Sequence, residues 1–375
     1  MRIEPFGVEM WMNEYETRCA YNLAETCVES LTVAQLLDIV GAREVFSDDL
    51  LSMHLAYGAI EGSQRLRTAI AALYSRQGPA DVLVTHGAIG ANALVHQALV
   101  EPGDRVVALV PTYQQHYSIP ASIGADVRLL RLREENGFLP DLDELRALVG
   151  THAKLIAFSN PNNPTGSLMD EAMLGQITEI ARQAGAYILA DEVYRGLNQQ
   201  GSGTTASIAD IYEAGISTGS MSKAFSLAGL RLGWLVAPAE VIAAVSVHRD
   251  YNTISVGMID DYFASLALEA KDAILTRNRE IVRGNLAILD EWVTAHPLVH
   301  YVKPRSGTTA LLGYDLDVPS RQLCVELVEQ TGVMLTPGSA LDIEGYLRIG
   351  YANNPKILIE GLGRMGDFLT AHARH

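Results

Sequence analysis

The sequence predicts an α/β protein: a mostly parallel central sheet covered on both faces, with a smaller α+β domain beside it. Three observations carry that expectation. From about Asp81 the chain alternates short apolar, β-rich runs with amphipathic helical stretches. The strand-like runs are continuously apolar, as strands buried on both faces are. Helical patterns end on glycine, as at Gly150 and Gly185, where a left-handed residue closes a helix.

In chain order, the first 45 residues hold two helical patterns, Val8–Tyr21 and Val33–Val40, expected to pack with the smaller domain. Val82–Thr85 opens the main sheet, and Val106–Val110, Leu155–Ser159, Tyr187–Ala190, Ile216–Gly219 and Leu232–Ala237 continue it. Helices are expected at Asp141–Val149 and Met169–Ala184. A long helix near Lys271–Ala295 leads into the second part. There Thr308–Tyr314 and Tyr346–Tyr351 read as strands, and Ser320–Thr331 and Pro355–Ala371 as helices. The expected organisation is an N-terminal segment over 1–45, a large domain over 46–284 and a small domain over 285–375.

Composition narrows the function. A chain of 375 residues with 48% hydrophobic and 19% charged content can bury a large core. A net charge of −16 argues against a nucleic-acid surface, which needs a basic face. The three cysteines, Cys19, Cys27 and Cys324, form no CxxC pair, which fits a reducing cytoplasm. Met1–Gly7 carries no apolar stretch of a signal peptide, and no run approaches the roughly 20 apolar residues of a membrane span. A cytoplasmic address with no membrane partner is expected.

The chemistry-bearing residues start with Ser220-Met221-Ser222-Lys223, followed eight positions later by Arg231. A lysine used as a covalent anchor must lose its proton, and a second cation nearby is expected to lower its pKa. Two hydroxyls and a guanidinium also suit a phosphate monoester. Lysine plus phosphate site is the minimal description of a pyridoxal phosphate pocket. Gly87-Ala88-Ile89-Gly90-Ala91-Asn92 follows a strand and opens a helix, where backbone amides can meet an anion. Tyr113 follows another strand and could stack on a flat ring. The turn Asn160–Gly166 puts the amide of Asn163 at a strand end. Ala190-Asp191-Glu192-Val193-Tyr194 ends a hydrophobic strand with an acid that is costly to bury unpaired. Singly, each motif is an ordinary turn or core feature. Together they sit at the carboxyl ends of successive strands, where open α/β sheets place ligands.

Other chemistries lack their residues. There is no Walker sequence, no G-x-G-x-x-G after the first strand and no G-x-S-x-G elbow. No H-E-x-x-H or EF-hand pattern occurs, and Pro297 interrupts His296 and His300, so no metal site is expected.

On these residues the chain resembles the fold type I pyridoxal phosphate enzymes, specifically the class I/II aminotransferase family. The resemblance implies pyridoxal 5′-phosphate as cofactor and a free α-amino acid as substrate, handled through Schiff-base and quinonoid intermediates. It implies that Lys223 is the Schiff-base lysine, that Asp191 pairs with the pyridine nitrogen and that Tyr113 stacks on the ring. Asn163 and Tyr194 would hold the phenolic oxygen, and Ala88, Ile89, Ser220, Ser222 and Arg231 the phosphate. Tyr57 matches the tyrosine that reaches the phosphate of the neighbouring subunit, which implies a homodimer with active sites at the interface. Arg348 matches the arginine that clamps the substrate carboxylate.

The opening segment, Phe6–Met12 to Asn22–Cys27, is similar to a subgroup that processes arginine. It includes arginine oxidases and the cyclases that form capreomycidine- or streptolidine-type rings in antibiotic biosynthesis. In several of these the segment carries a histidine; this chain has none between Met1 and Leu51, and Glu25, Thr26 and Glu29 occupy the region. That departure favours a cyclase or eliminase over an oxidase. If the substrate carries a guanidinium, a carboxylate should meet it, and Glu9, Glu25, Asp260 and Asp261 are the candidates, with Thr26 beside them. The alternative is an ordinary aminotransferase exchanging an amino acid with a 2-oxo acid.

Overall fold

The structure is a computed structural model that describes residues 2–44 and 46–373. Seven strands form the central sheet in the order 82–85, 233–236, 215–220, 187–191, 153–159, 105–110 and 126–131. All run parallel except Gly233–Val236, which is antiparallel to both its neighbours. Alternate residues of each strand serve opposite layers. Leu155, Ala157 and Leu189 pack with Leu94, Val95, Val241 and Val245 of the helices on one face. Ile156, Phe158 and Ile188 pack with Leu145, Leu174 and Ile177 on the other. That double burial is why the strands read as unbroken apolar runs.

The expected elements are present, with ends shifted by a residue or two. Asp141 and Asp170 cap the helices Leu142–Val149 and Glu171–Ala184, each accepting backbone N–H groups. The strand Asp126–Arg131, absent from the sequence reading, closes one sheet edge; its half-buried Asp126 and exposed Arg128 and Arg131 dilute the apolar signal. A 25-residue helix spans Lys271–Ala295. Beyond it a four-stranded antiparallel sheet contains Thr309–Tyr314 and Tyr346–Gly350 at its centre.

The first helix is shorter than its periodicity implies: it covers Gly7–Tyr15, not Val8–Tyr21. Ala20 and Tyr21 donate backbone hydrogen bonds to the Gly332 carbonyl, and Tyr21–Asn22 pairs in parallel with Val333–Met334. Strand pairing wins over continuation of the helix. The second helix, Val33–Val40, runs as expected. The proposed boundary near 45 falls on Val45, outside the described residues, and the one near 284 falls inside the Lys271–Ala295 helix. Among the described residues, no helix is long and apolar enough to cross a membrane.

Candidate active site

Five strands end on one edge of the central sheet, and the groups that follow them surround a cavity of about 340 Å³. Lining it are Ala88, Ile89, Tyr113, Asn163, Asp191, Tyr194, Ser220, Ser222, Lys223, Arg231 and Arg348, together with Glu9, Glu25 and Thr26. Thus residues far apart in the chain converge wherever the sequence placed them on strand ends. Tyr57 is the exception: it is 84% exposed and lines none of this cavity.

Asp191 is 5% exposed. Its Oδ2 accepts a hydrogen bond from Asn92 Nδ2 at 2.9 Å, and Oδ1 accepts from Val193 N at 3.2 Å. Asn92 is fixed in turn by Thr218 Oγ1, which donates to Asn92 Oδ1 at 2.7 Å. Burial pushes the Asp191 carboxyl above its ordinary pKa, and Asn92, Val193 and Lys223 offset this only in part. A buried carboxylate in that state calls for a cationic partner.

Arg348 is 3% exposed; Nη1 donates to Asn163 Oδ1 at 3.3 Å and Nη2 to Thr336 Oγ1 at 3.1 Å. Asn163 therefore turns its oxygen to Arg348 and leaves its amide nitrogen for a ligand. Arg348 Nε and Tyr194 Oη are buried with no hydrogen-bond partner at bonding geometry, although Thr26 lies close to Tyr194. Burial without a partner costs about 1–3 kcal/mol per group, which a ligand oxygen would recover. At the helix Gly87–Leu99, Gly87 sits at φ +67°, and an added Cβ there would lie 3.3 Å from Arg231 Nη2. Arg231 Nη1 approaches Ser222 Oγ at 3.5 Å. Backbone N–H groups, two hydroxyls and a guanidinium thus share one corner.

One electrostatic expectation is corrected. Lys223 is not depressed by Arg231. Burial alone would lower it, but Cys27, Tyr194 and Glu25 outweigh burial and leave its ammonium favoured. Burial pushes the Cys27 thiol up to about 11 and also raises Tyr194, so Glu25 is the anion that acts at neutral pH. Burial opposes the charge on Glu25 too, yet Lys223 and the N–H groups of Cys27 and Thr26 hold its carboxyl below the usual range.

The sequence matches the family model for aminotransferases of class I and II over residues 42–362. The chain belongs to the class I and II aminotransferase family. Relatives within that family differ in reaction. Capreomycidine synthase of Streptomyces vinaceus is 32% identical over 373 residues, covering 98% of this chain and 94% of the relative. A crystal structure of a PLP-dependent aminotransferase from Streptococcus suis superposes with a TM-score of 0.96 at 42% identity, covering 99% of both chains. The PLP-dependent cyclase OrfR superposes with a TM-score of 0.92 at 27% identity, covering 99% of this chain and 98% of its own.

The family's cofactor is pyridoxal 5′-phosphate, and this chain's residues fit it: a buried acid wanting a cation, an unpartnered tyrosine hydroxyl, an anion corner and a lysine face one cavity.

Several contributors escaped the sequence reading. Asn92 was visible only as part of a glycine-rich turn, because its partner Asp191 lies 99 residues away. Val8 and Met12 line the cavity from the first helix and Glu16 from its C-cap, where i, i+4 and i+8 spacing was the available signal. Two of the four candidate acids are not at the cavity. Asp261 accepts from Ser63 N at 2.8 Å as part of a helix start, and Asp260 lies on the same remote helix. Glu29 is likewise elsewhere, accepting from Asn354 Nδ2 at 3.2 Å.

Proposed function

We propose that the protein acts on arginine or a hydroxylated arginine, and that it carries the hydroxylated form, whose hydroxyl leaves as water, to elimination or ring closure, in specialised metabolism. The observation that carries this reading is the convergence of Glu9, Glu16 and Glu25 on the cavity that also holds Arg348. Burial raises the Glu16 carboxyl, and the charges of Glu25 and Glu9 raise it further. Like charges around one cavity are relieved by a cationic guest. A guanidinium offers planar, bidentate donors to such acids, while Arg348 offers the same fork to the α-carboxylate.

When bound, pyridoxal phosphate supplies the electron sink that acidifies the substrate's α-carbon. Lys223 Nζ is the base for that proton, Arg348 and Asn163 orient the substrate, and Asp191 is the acid to sustain a protonated ring nitrogen. Ala88, Ile89, Ser220, Ser222 and Arg231 would hold the phosphate, with Tyr194 and Asn163 on the phenolic oxygen and Tyr113 against the ring. The protonated Lys223 can then give its proton to the departing hydroxyl of a hydroxylated substrate, which leaves as water.

The likeness to capreomycidine synthase and to OrfR supports this reading. One finding favours simple amino-group exchange instead: the 42% identical Streptococcus suis protein is described as an aminotransferase. Incubation with arginine and hydroxyarginines, without a 2-oxo acid, separates the two. The proposal expects the hydroxyarginine to lose water, with or without closing a ring, by mass spectrometry. Turnover only after a 2-oxo acid is added would make the protein an aminotransferase.

We also propose a homodimer in which Tyr57 serves the partner's phosphate site. Tyr57 lies in a segment where Leu51 is 86% and Leu55 79% exposed, an apolar stretch suited to an interface. Light scattering should give twice the 40.6 kDa chain mass; an active monomer would overturn it. All three cysteines are free, which supports a reducing, cytoplasmic address.

A further inference from the structure

The segment Asn22–Cys27 folds on itself. Asn22 Oδ1 accepts from Ala24 N at 3.0 Å and Glu25 N at 3.1 Å, and Glu25 Oε1 accepts from Thr26 N at 2.7 Å and Cys27 N at 2.9 Å. The segment is then latched to the small C-terminal sheet. Gly350 N donates to Leu23 O at 2.7 Å, Thr308 Oγ1 to Thr26 O at 2.7 Å and Arg348 Nη2 to Ala24 O at 3.2 Å. Gly350 is required there, because a Cβ would collide with the Glu25 carbonyl oxygen.

What this double anchoring presents is a hydroxyl and a thiol. Lys223 Nζ donates to Thr26 Oγ1 at 2.7 Å and to Cys27 Sγ at 3.4 Å. Both residues are buried, and neither belongs to the sheet that carries Lys223. A hydroxyl both accepts and donates, so Thr26 can hold an ammonium and, after proton loss, a neutral amine without a change of place. A carboxylate could only accept, whereas the hydroxyl can also donate to the neutral amine's lone pair. The thiol is a weak second partner.

We propose that Thr26, seconded by Cys27, is the positioning residue for Lys223 whenever its amine is free. The small sheet sets the amine's place on both sides of a proton transfer. Arg348 anchors the same segment through Ala24 O, so the group that faces the substrate carboxylate also steadies the lysine's partner. The inference rests on the cofactor assignment and is independent of the arginine reading.

The test uses Thr26→Val, which removes the hydroxyl at similar volume, and Thr26→Ser, which keeps it. In the holoenzyme, exchange of the substrate α-proton with deuterated solvent should slow roughly tenfold in Thr26→Val with KM within about twofold, and recover in Thr26→Ser. A second readout needs no turnover. In the full-length chain stripped of cofactor and labelled with 13Cε-lysine, the Lys223 signal is one of five and is assigned by Lys223→Arg. Its titration midpoint should fall by about one unit in Thr26→Val and stay put in Thr26→Ser. A Thr26→Val protein unchanged in both, or a Thr26→Ser protein as impaired as Thr26→Val, overturns the proposal. If Thr26→Val fails to fold, Cys27→Ala decides: a smaller downward shift supports the site and no shift overturns it. A wild-type chain that turns over neither arginine nor a hydroxyarginine, yet shows the Thr26-dependent titration, would sink the substrate reading alone.

Discussion

The floor of the cavity comes from the carboxyl ends of the seven-stranded sheet: Asp191 and Ser220 close strands, and Tyr113, Asn163 and Lys223 follow within four residues of one. The cover comes from residues 8–27, outside that sheet and tied to the four-stranded one through Gly350, Thr308 and Arg348. Floor groups are fixed by backbone that the core rigidly places. Cover groups depend on contacts between chain segments about 300 residues apart. On the proposed roles, the floor carries what every reaction on the cofactor shares, and the cover carries what selects the substrate and handles the lysine. Relatives that share the fold but are named for different reactions are then expected to differ above the cavity rather than beneath it.

Substitutions can break this division at either level. The largest effect belongs to the floor: Lys223→Ala should abolish the covalently bound cofactor's visible absorption and cut turnover at least about 10⁴-fold. Retained absorption and activity would assign the anchor to another residue. Asp191→Asn should lower kcat about 10³-fold while the protein still binds cofactor, measured by steady-state kinetics and cofactor absorbance.

The floor's support also carries a pH signature. His96 and His116 pack behind it with ring centroids 5.9 Å apart, and none of their four ring nitrogens has a hydrogen-bond partner. Burial lowers His116 to about 4 and His96 well below the ordinary 6.5. Folding therefore excludes protons: the stability these neutral rings contribute is complete above about pH 6.5 and is lost as pH falls towards 4. His116→Phe should remove about 3 kcal/mol of the wild-type loss between pH 7 and pH 4, read by urea denaturation. An unchanged pH dependence would contradict it.

The smallest expected effect belongs to the cover. Gly350→Ala should displace the Asn22–Cys27 segment and slow turnover about tenfold while leaving cofactor affinity intact. Equal loss of cofactor binding would mean floor and cover are not separable.

The same division explains what could be read from the sequence. Strand ends are local, so Asp191, Ser220 and Lys223 announced themselves beside apolar runs, and the Lys271–Ala295 helix followed from its periodicity. The partners of the cover are not local. Thr26 meets Lys223 across 197 positions, and no spacing rule reports that. The expected lowering of Lys223 failed for the same reason: Arg231 was close in sequence, whereas Cys27, Tyr194 and Glu25, which raise it, were not. The helix end at Tyr15 was missed because a two-residue strand pairing with Val333–Met334 leaves no mark in a helical pattern.

Acids of the cover are proposed to select a cationic side chain over a neutral one of the same shape. The direct measurement is kcat/KM for exchange of the substrate α-proton with deuterated solvent, for arginine and for citrulline, its uncharged near-isostere, in the wild type and in the Glu9→Gln/Glu16→Gln double variant. The account predicts that the arginine-to-citrulline ratio falls about 100-fold, through arginine alone. A ratio that stays constant, or equal losses for both substrates, would contradict it.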